Sequence, residues 1–249
     1  MNFDPAPFQA LIKARCGLAC DGSLAENLQA ALQERMRSCA VEPGAYLTLL
    51  QIREEEFREL ITRITINETY FFREPEPLRL LVERLIPRLL AEPGRALPVR
   101  ILSAGCASGE EPYSLVMALL EKFGPQVSRL FSFTGIDIDS TSLAKARQGS
   151  YGAYSFRGDF PYPRERYFDL REGQFLLKEP IKRLVAFREC NLLNPEIGRL
   201  LGRFDIVLFR NVSIYFDAPT RRIVLQNLAS LLDEKAILLI GIVETLGND

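Results

Sequence analysis

Residues 99–115 read VRILSAGCASGEEPYSL, an apolar strand running into a glycine-bearing turn that opens directly into a helix. Such a junction aims bare backbone N–H groups at a polar ligand, and Gly105 and Gly109 permit close approach. The helix starts Glu110, Glu111, Pro112. Carboxylates at a helix N-terminus favour a cationic or hydroxyl-rich ligand and discourage a phosphate, so a dinucleotide or ATP loop would not be built this way.

Working outward, residues 99–104, 130–136, 183–189, 204–209 and 236–241 read as short apolar strands, with helices over 110–123, 140–148 and 219–232 between them. Near-continuous apolar strands separated by crossover helices predict a parallel sheet covered on both faces. The alternation breaks over about 150–182 into a passage rich in Tyr, Pro, Gly and Arg, which reads as an inserted loop or small antiparallel sheet. Ahead of the strands, apolar residues recur at helical spacing in 8–12, 24–36, 46–50 and 57–64, and a further helix is expected from about Glu76 to Leu90. The resulting organisation is a helical N-terminal domain over 1–75, a linker helix and connector over 76–98, and a ligand-binding α/β domain over 99–249.

Composition narrows the chemistry. The chain of 249 residues has no histidine, which removes Ser-His-Asp and Cys-His nucleophile systems, imidazole bases and His-containing zinc sites. No metal site is expected. Its five cysteines form no C-x-x-C pair and read as reduced thiols. A net charge of −1 gives no footprint for nucleic acid, and neither a signal-peptide pattern nor a membrane-length apolar run is read in the sequence. A cytoplasmic protein without direct membrane insertion is the expectation.

In open parallel sheets, ligands bind beyond the carboxyl ends of the strands. The residues there are 105–110, Asp137 and Asp139, Asn191 and Leu192, Arg210 and Asn211, and Glu244. An acid ending the second strand can accept both hydroxyls of a ribose, and Asp137 stands in that place. Asn191 is placed to meet the edge of an adenine, or to close a turn with its own side chain. Arg210 is the one clear cation of the set, and its alternative is an ion pair with Asp205 or Asp217. Asp139 and Ser140 suit the cap of the following helix better than Asp137 does. Tyr70, Phe71 and Phe72 read as core packing before a stacking platform.

The blocks NETYFFRE (67–74), SAGCASGEEPYSL (103–115), GIDIDSTSLAKARQGSY (135–151), RYF (166–168), ECNLL (189–193) and FDIVLFRNVSIYFD (204–217) resemble, in order, those of the CheR-type chemotaxis-receptor glutamate methyltransferases. The resemblance implies an α/β fold: a Rossmann-like class I methyltransferase sheet with a small all-α N-terminal domain and a small inserted β-subdomain. It implies S-adenosylmethionine as cofactor, S-adenosylhomocysteine as product, and glutamate side chains on the cytoplasmic signalling domain of a chemoreceptor as acceptors. Carried over by position, cofactor contacts fall on Asn67, Thr69, Arg73, Gly105, Glu110, Asp137, Asn191, Leu192, Arg210 and Asn211. Arg73 and Tyr215 are the candidates for orienting the acceptor carboxylate. A missing histidine suits this chemistry, because a glutamate carboxylate is already ionised at neutral pH and needs no general base.

Departures from the family pattern are also legible. The family usually has Gly-His-Ser-Glu after its fifth strand, where this chain has Gly241, Ile242, Val243 and Glu244. Its second helix offers mainly Arg35 and Arg37, beside Glu26 and Glu34, for docking on an acidic receptor. The family continues past the point where this chain stops, so a C-terminal interaction region absent from this chain is a possible further element. A non-catalytic module binding the same cofactor is the alternative function. A NAD enzyme is disfavoured by the two glutamates after the glycine turn.

Overall fold

The computed structural model describes residues 3–242 and Glu244. In chain order the strands are β1 (Val99–Ala104), β2 (Phe131–Asp137), β3 (Ser150–Tyr151), β4 (Phe168–Arg171), β5 (Gln174–Leu177), β6 (Val185–Glu189), β7 (Phe204–Phe209) and β8 (Leu232–Ile240). The helices are α1 (Ala6–Cys16), α2 (Gly22–Cys39), α3 (Pro43–Ile52), α4 (Glu54–Ile64), α5 (Pro75–Leu80), α6 (Ile86–Leu90), α7 (Glu110–Phe123), α8 (Val127–Leu130), α9 (Ser140–Gln148), α10 (Glu179–Lys182), α11 (Ile197–Leu201) and α12 (Ala218–Leu231).

Five strands form one parallel sheet in the order β6-β2-β1-β7-β8. Chain order reverses between β1 and β7, where Ile101 pairs with Ile206, and that reversal is where a doubly wound sheet opens a crevice. The fold is therefore α/β and Rossmann-like, as the sequence predicts. Strands β3, β5 and β4 make the small antiparallel sheet expected within 150–182.

Alternation along the strands sends side chains to two cores. Leu102, Ala104, Val207 and Phe209 join a core with the buried faces of α1–α4 and α12. Val99, Ile101, Ile206 and Leu208 join a second with α5–α7 and the aromatic residues of the small sheet. The N-terminal helices thus share a core with the sheet, and the segment read as a linker is packed: Leu81 and Ile86 are fully buried. Between α5 and α6 the helix widens into a π turn over Leu81–Leu85. Pro87 has no N–H to give to the Glu83 carbonyl one turn back, and Lys122 Nζ donates to that carbonyl instead, at 3.3 Å.

Of the two arginines read on α2, one is turned inward. Arg35 makes two hydrogen bonds to Glu56, at 2.8 and 2.6 Å, and Glu56 also accepts from the Tyr46 hydroxyl at 2.7 Å. Arg37 stays on the surface and donates to the Gln33 carbonyl. All five cysteines are free thiols. Among the described residues, no helix is long and apolar enough to cross a membrane.

Candidate functional site

A cavity with about 1080 Å³ of empty space, mouth included, lies beyond the carboxyl ends of β1, β2, β6 and β7. Its floor is the glycine turn after β1. Gly105 and Cys106 both donate backbone N–H groups to the Ile136 carbonyl, at 2.8 and 3.0 Å. Gly105 has φ +76°, and a Cβ added there would sit 2.4 Å from Val212 Cγ2, so only glycine keeps this turn unstrained.

Asp137 ends β2 inside the cavity, where Oδ1 accepts the Asp139 N–H at 2.9 Å and Oδ2 the Ala107 N–H at 2.8 Å. Burial pushes its carboxyl up to about 6, against the pull of those two N–H groups. Each oxygen keeps acceptor capacity for a further donor. Asp139 performs the capping role expected of it, accepting from Thr141 N at 2.9 Å.

The acids that open α7 divide their work. Glu110 is 1 % exposed and accepts from the hydroxyls of Ser108 and Ser155, at 2.7 and 2.9 Å, facing the small sheet and not lining the cavity. Glu111 lines it, accepting from Ser103 Oγ at 2.7 Å and from Arg210 at 3.1 Å. Burial raises the Glu111 carboxyl and Arg210 pulls it back. Neighbouring helix positions point about 100° apart, so one acid of the pair faces the ligand space and the other does not.

Arg210, only 2 % exposed at its side chain, donates to Glu111 and to the backbone carbonyls of Arg73 and Glu74, at 2.8 and 3.1 Å for the latter two. The ion pairs weighed from sequence form with other cations: Asp205 takes Arg95 and Asp217 takes Lys13, both at 2.6 Å. Asn211 donates to Glu74 at 3.0 Å, and Glu74 also accepts from the Ile242 N–H at 3.2 Å. Glu244 accepts from the Val212 N–H at 2.9 Å. Within the altered run, Val243 lies outside the described residues.

Asn191 closes a turn with its own side chain, accepting from Leu193 N at 2.9 Å while its amide donates to the Arg15 carbonyl at 2.6 Å. It and Leu192 both border the cavity. From the connector, Asn67 lines the cavity and donates to Asp139 at 2.7 Å, and Thr69 and Arg73 line it too. Phe71 and Phe72 are core residues, as read from sequence, while Tyr70 borders the cavity. The Tyr215 hydroxyl donates to the Ile66 carbonyl at 3.0 Å, and its acidity is weakened by burial with Arg73 pulling the other way.

Of the site residues predicted from sequence, the structure gathers all but Glu110 around one cavity. Sequence reading missed Glu111 as the cavity-facing acid. It also missed Leu18, which lies between α1 and α2, and Leu24 on α2, both of which reach the cavity and whose apolar character signals only burial. The arrangement fits S-adenosylmethionine. A glycine turn admits close backbone approach, a buried carboxylate with spare lone pairs suits a ribose, and Glu111 beside apolar walls suits a cation that carries no phosphate.

Residues 67–249 match the family described as CheR methyltransferase, SAM binding domain. The chain is 37% identical over 235 residues to a probable biofilm formation methyltransferase, WspC, of Pseudomonas putida, covering 94% of this chain and 55% of that one. It is 32% identical over 255 residues to chemotaxis protein methyltransferase 1 of Pseudomonas aeruginosa, covering 99% of this chain and 92% of that one. It thus spans about half the length of the WspC relative. A match running over residues 67–249, with a relative of this identity aligned over nearly its whole length, makes the chain a member of the CheR methyltransferase family.

Proposed function

We propose that this chain binds S-adenosylmethionine in the cavity at the ends of β1 and β2 and transfers its methyl group to glutamate side chains on the cytoplasmic signalling domain of a chemoreceptor. The observation that carries this reading is the meeting, in one cavity, of Asp137 at the end of β2 with Arg73 and Tyr215 from two other segments. The cofactor supplies a methyl sulfonium, already a strong electrophile. The acceptor glutamate, with a pKa near ~4.3, arrives ionised, so the protein moves no proton for the transfer. Its contribution is placement, which with good geometry is worth roughly 7–11 kcal/mol.

Asp137 would take the ribose hydroxyls. Arg73 gives one N–H to the Glu68 carbonyl at 2.5 Å and keeps other donors for the acceptor carboxylate. Tyr215 would turn its proton from the Ile66 carbonyl to that same carboxylate. The biofilm-formation and chemotaxis names of the relatives support the reading that such a reaction serves chemosensory signalling.

The test is transfer of labelled methyl from S-adenosylmethionine to a receptor signalling fragment, read as base-labile methyl ester. Arg73→Ala and Tyr215→Phe are expected to lose transfer, Tyr215→Phe with S-adenosylhomocysteine affinity held. Unchanged turnover in both would overturn their assignment, and absence of ester with the wild type would overturn the enzyme reading for the fragment used.

A further inference from the structure

The connector carrying Asn67, Thr69 and Arg73 has no helix or strand of its own between Ile64 and Pro75, so its shape is imposed from outside. On one side Asp139, Tyr215 and Arg210 hold it. On the other stands a short segment of the inserted subdomain. Arg157 lies between two rings, its guanidinium carbon 4.1 Å from the Tyr70 centroid and 3.8 Å from the Tyr154 centroid. The same guanidinium donates to the Thr69 carbonyl at 2.9 Å and to Glu68 Oε1 at 3.2 Å. Next to it, the Phe71 N–H donates to the Ser155 carbonyl at 2.9 Å. A Cβ on Gly158 would come within 2.7 Å of the Tyr70 ring, so the glycine leaves the seat that ring occupies.

Arg157 does not border the cavity, yet Glu68, Thr69 and Tyr70, the residues it grips, all do. We infer that Arg157 is a positioning residue: through it the inserted subdomain clasps the connector and sets the affinity of the cofactor cavity. This rests on the cofactor reading proposed above. Arginine suits the task because a planar guanidinium stacks between two rings while its fork reaches a carbonyl and a carboxylate, and a lysine ammonium cannot do both.

The test uses Arg157→Ala, Arg157→Lys and Tyr154→Leu, the last removing one face of the sandwich from a side chain that is 66 % exposed and so outside any core. Amide hydrogen exchange without ligand should quicken tenfold or more in residues 65–73 of Arg157→Ala, and stay as in the wild type in β1 and β2. S-Adenosylhomocysteine should bind about tenfold more weakly, Arg157→Lys should fail to restore the affinity, Tyr154→Leu should show a smaller change of the same sign, and the KM for S-adenosylmethionine should rise with kcat held within twofold. Unchanged exchange in 65–73, or loosened exchange with unchanged affinity, would overturn the inference. A wild type that binds no S-adenosylhomocysteine would overturn the cofactor reading and the affinity role with it, while the exchange result would still decide whether Arg157 clasps the connector.

Discussion

Asp139 accepts the side-chain amide of Asn67, 72 positions away in the chain, at 2.7 Å, and with the same carboxylate caps α9 through Thr141 N at 2.9 Å. Thr62 and Ser142 hydroxyls fill its remaining acceptor sites, at 2.8 and 2.7 Å. One buried carboxylate therefore joins the end of β2, the end of α4 and the connector, directly beside Asp137. The cavity wall and the helix cap are parts of one hydrogen-bonded unit.

Asp139→Ala removes the cap and leaves the amide of Asn67 and two hydroxyls without their acceptor. A lost cap costs roughly 1 kcal/mol, and stranding the buried Ser142 hydroxyl roughly 1–3 kcal/mol more. Urea unfolding should show a loss of about 2 kcal/mol or more by these sums. A loss below about 1 kcal/mol, the size of the cap alone, would mean that the connector is held by other contacts.

Binding of the cofactor should depend on pH through Asp137. Burial raises its carboxyl to about 6, and only the ionised form can accept from both ribose hydroxyls. The raised value means that the unliganded site takes up a proton as pH falls, and that proton must leave on binding. S-Adenosylhomocysteine affinity is expected to be flat above about pH 7 and to fall towards tenfold per pH unit below about 6. Calorimetry in buffers of differing ionisation heat checks this, because proton release should appear only on the acid side. In Asp137→Ala the residual affinity should lose this dependence.

Arg210 is a fastener between β7 and the connector, and its removal should be felt in stability first. Arg210→Met leaves Glu111 with an uncompensated buried charge and frees the carbonyls of Arg73 and Glu74. Breaking a buried pair from one side costs about 3–5 kcal/mol. Arg210→Lys should recover only part of this, since one ammonium cannot reach both Glu111 and the two carbonyls. Thermal unfolding of the three proteins side by side is the check, and full recovery by lysine would contradict the forked geometry.

What the sequence disclosed followed from period and polarity. Strands β1 and β7 match their predicted limits to the residue, because continuous apolar runs end on Gly105 and Arg210. Strand β8 starts at Leu232, four residues before the predicted 236, because Asp233, Glu234 and Lys235 look like a loop but lie on an exposed edge with no face to bury. The connector was legible only through family resemblance, since an irregular backbone has no period and its order comes from Asp139, Arg157 and Arg210 far along the chain. The choice between Glu110 and Glu111 depends on the azimuth at which α7 leaves the glycine turn, which no local pattern encodes. The partners of Arg210 were likewise hidden, because Glu111 and Glu74 lie 99 and 136 positions from it in the chain.

The most direct measurement is calorimetric titration of S-adenosylmethionine and S-adenosylhomocysteine into the wild type and Asp137→Ala at pH 7.5. Micromolar binding by the wild type, weakened tenfold or more by the substitution, about 1.4 kcal/mol, is the predicted result. Absence of binding to the wild type, or equal affinity in Asp137→Ala, would contradict a cofactor site built around the end of β2.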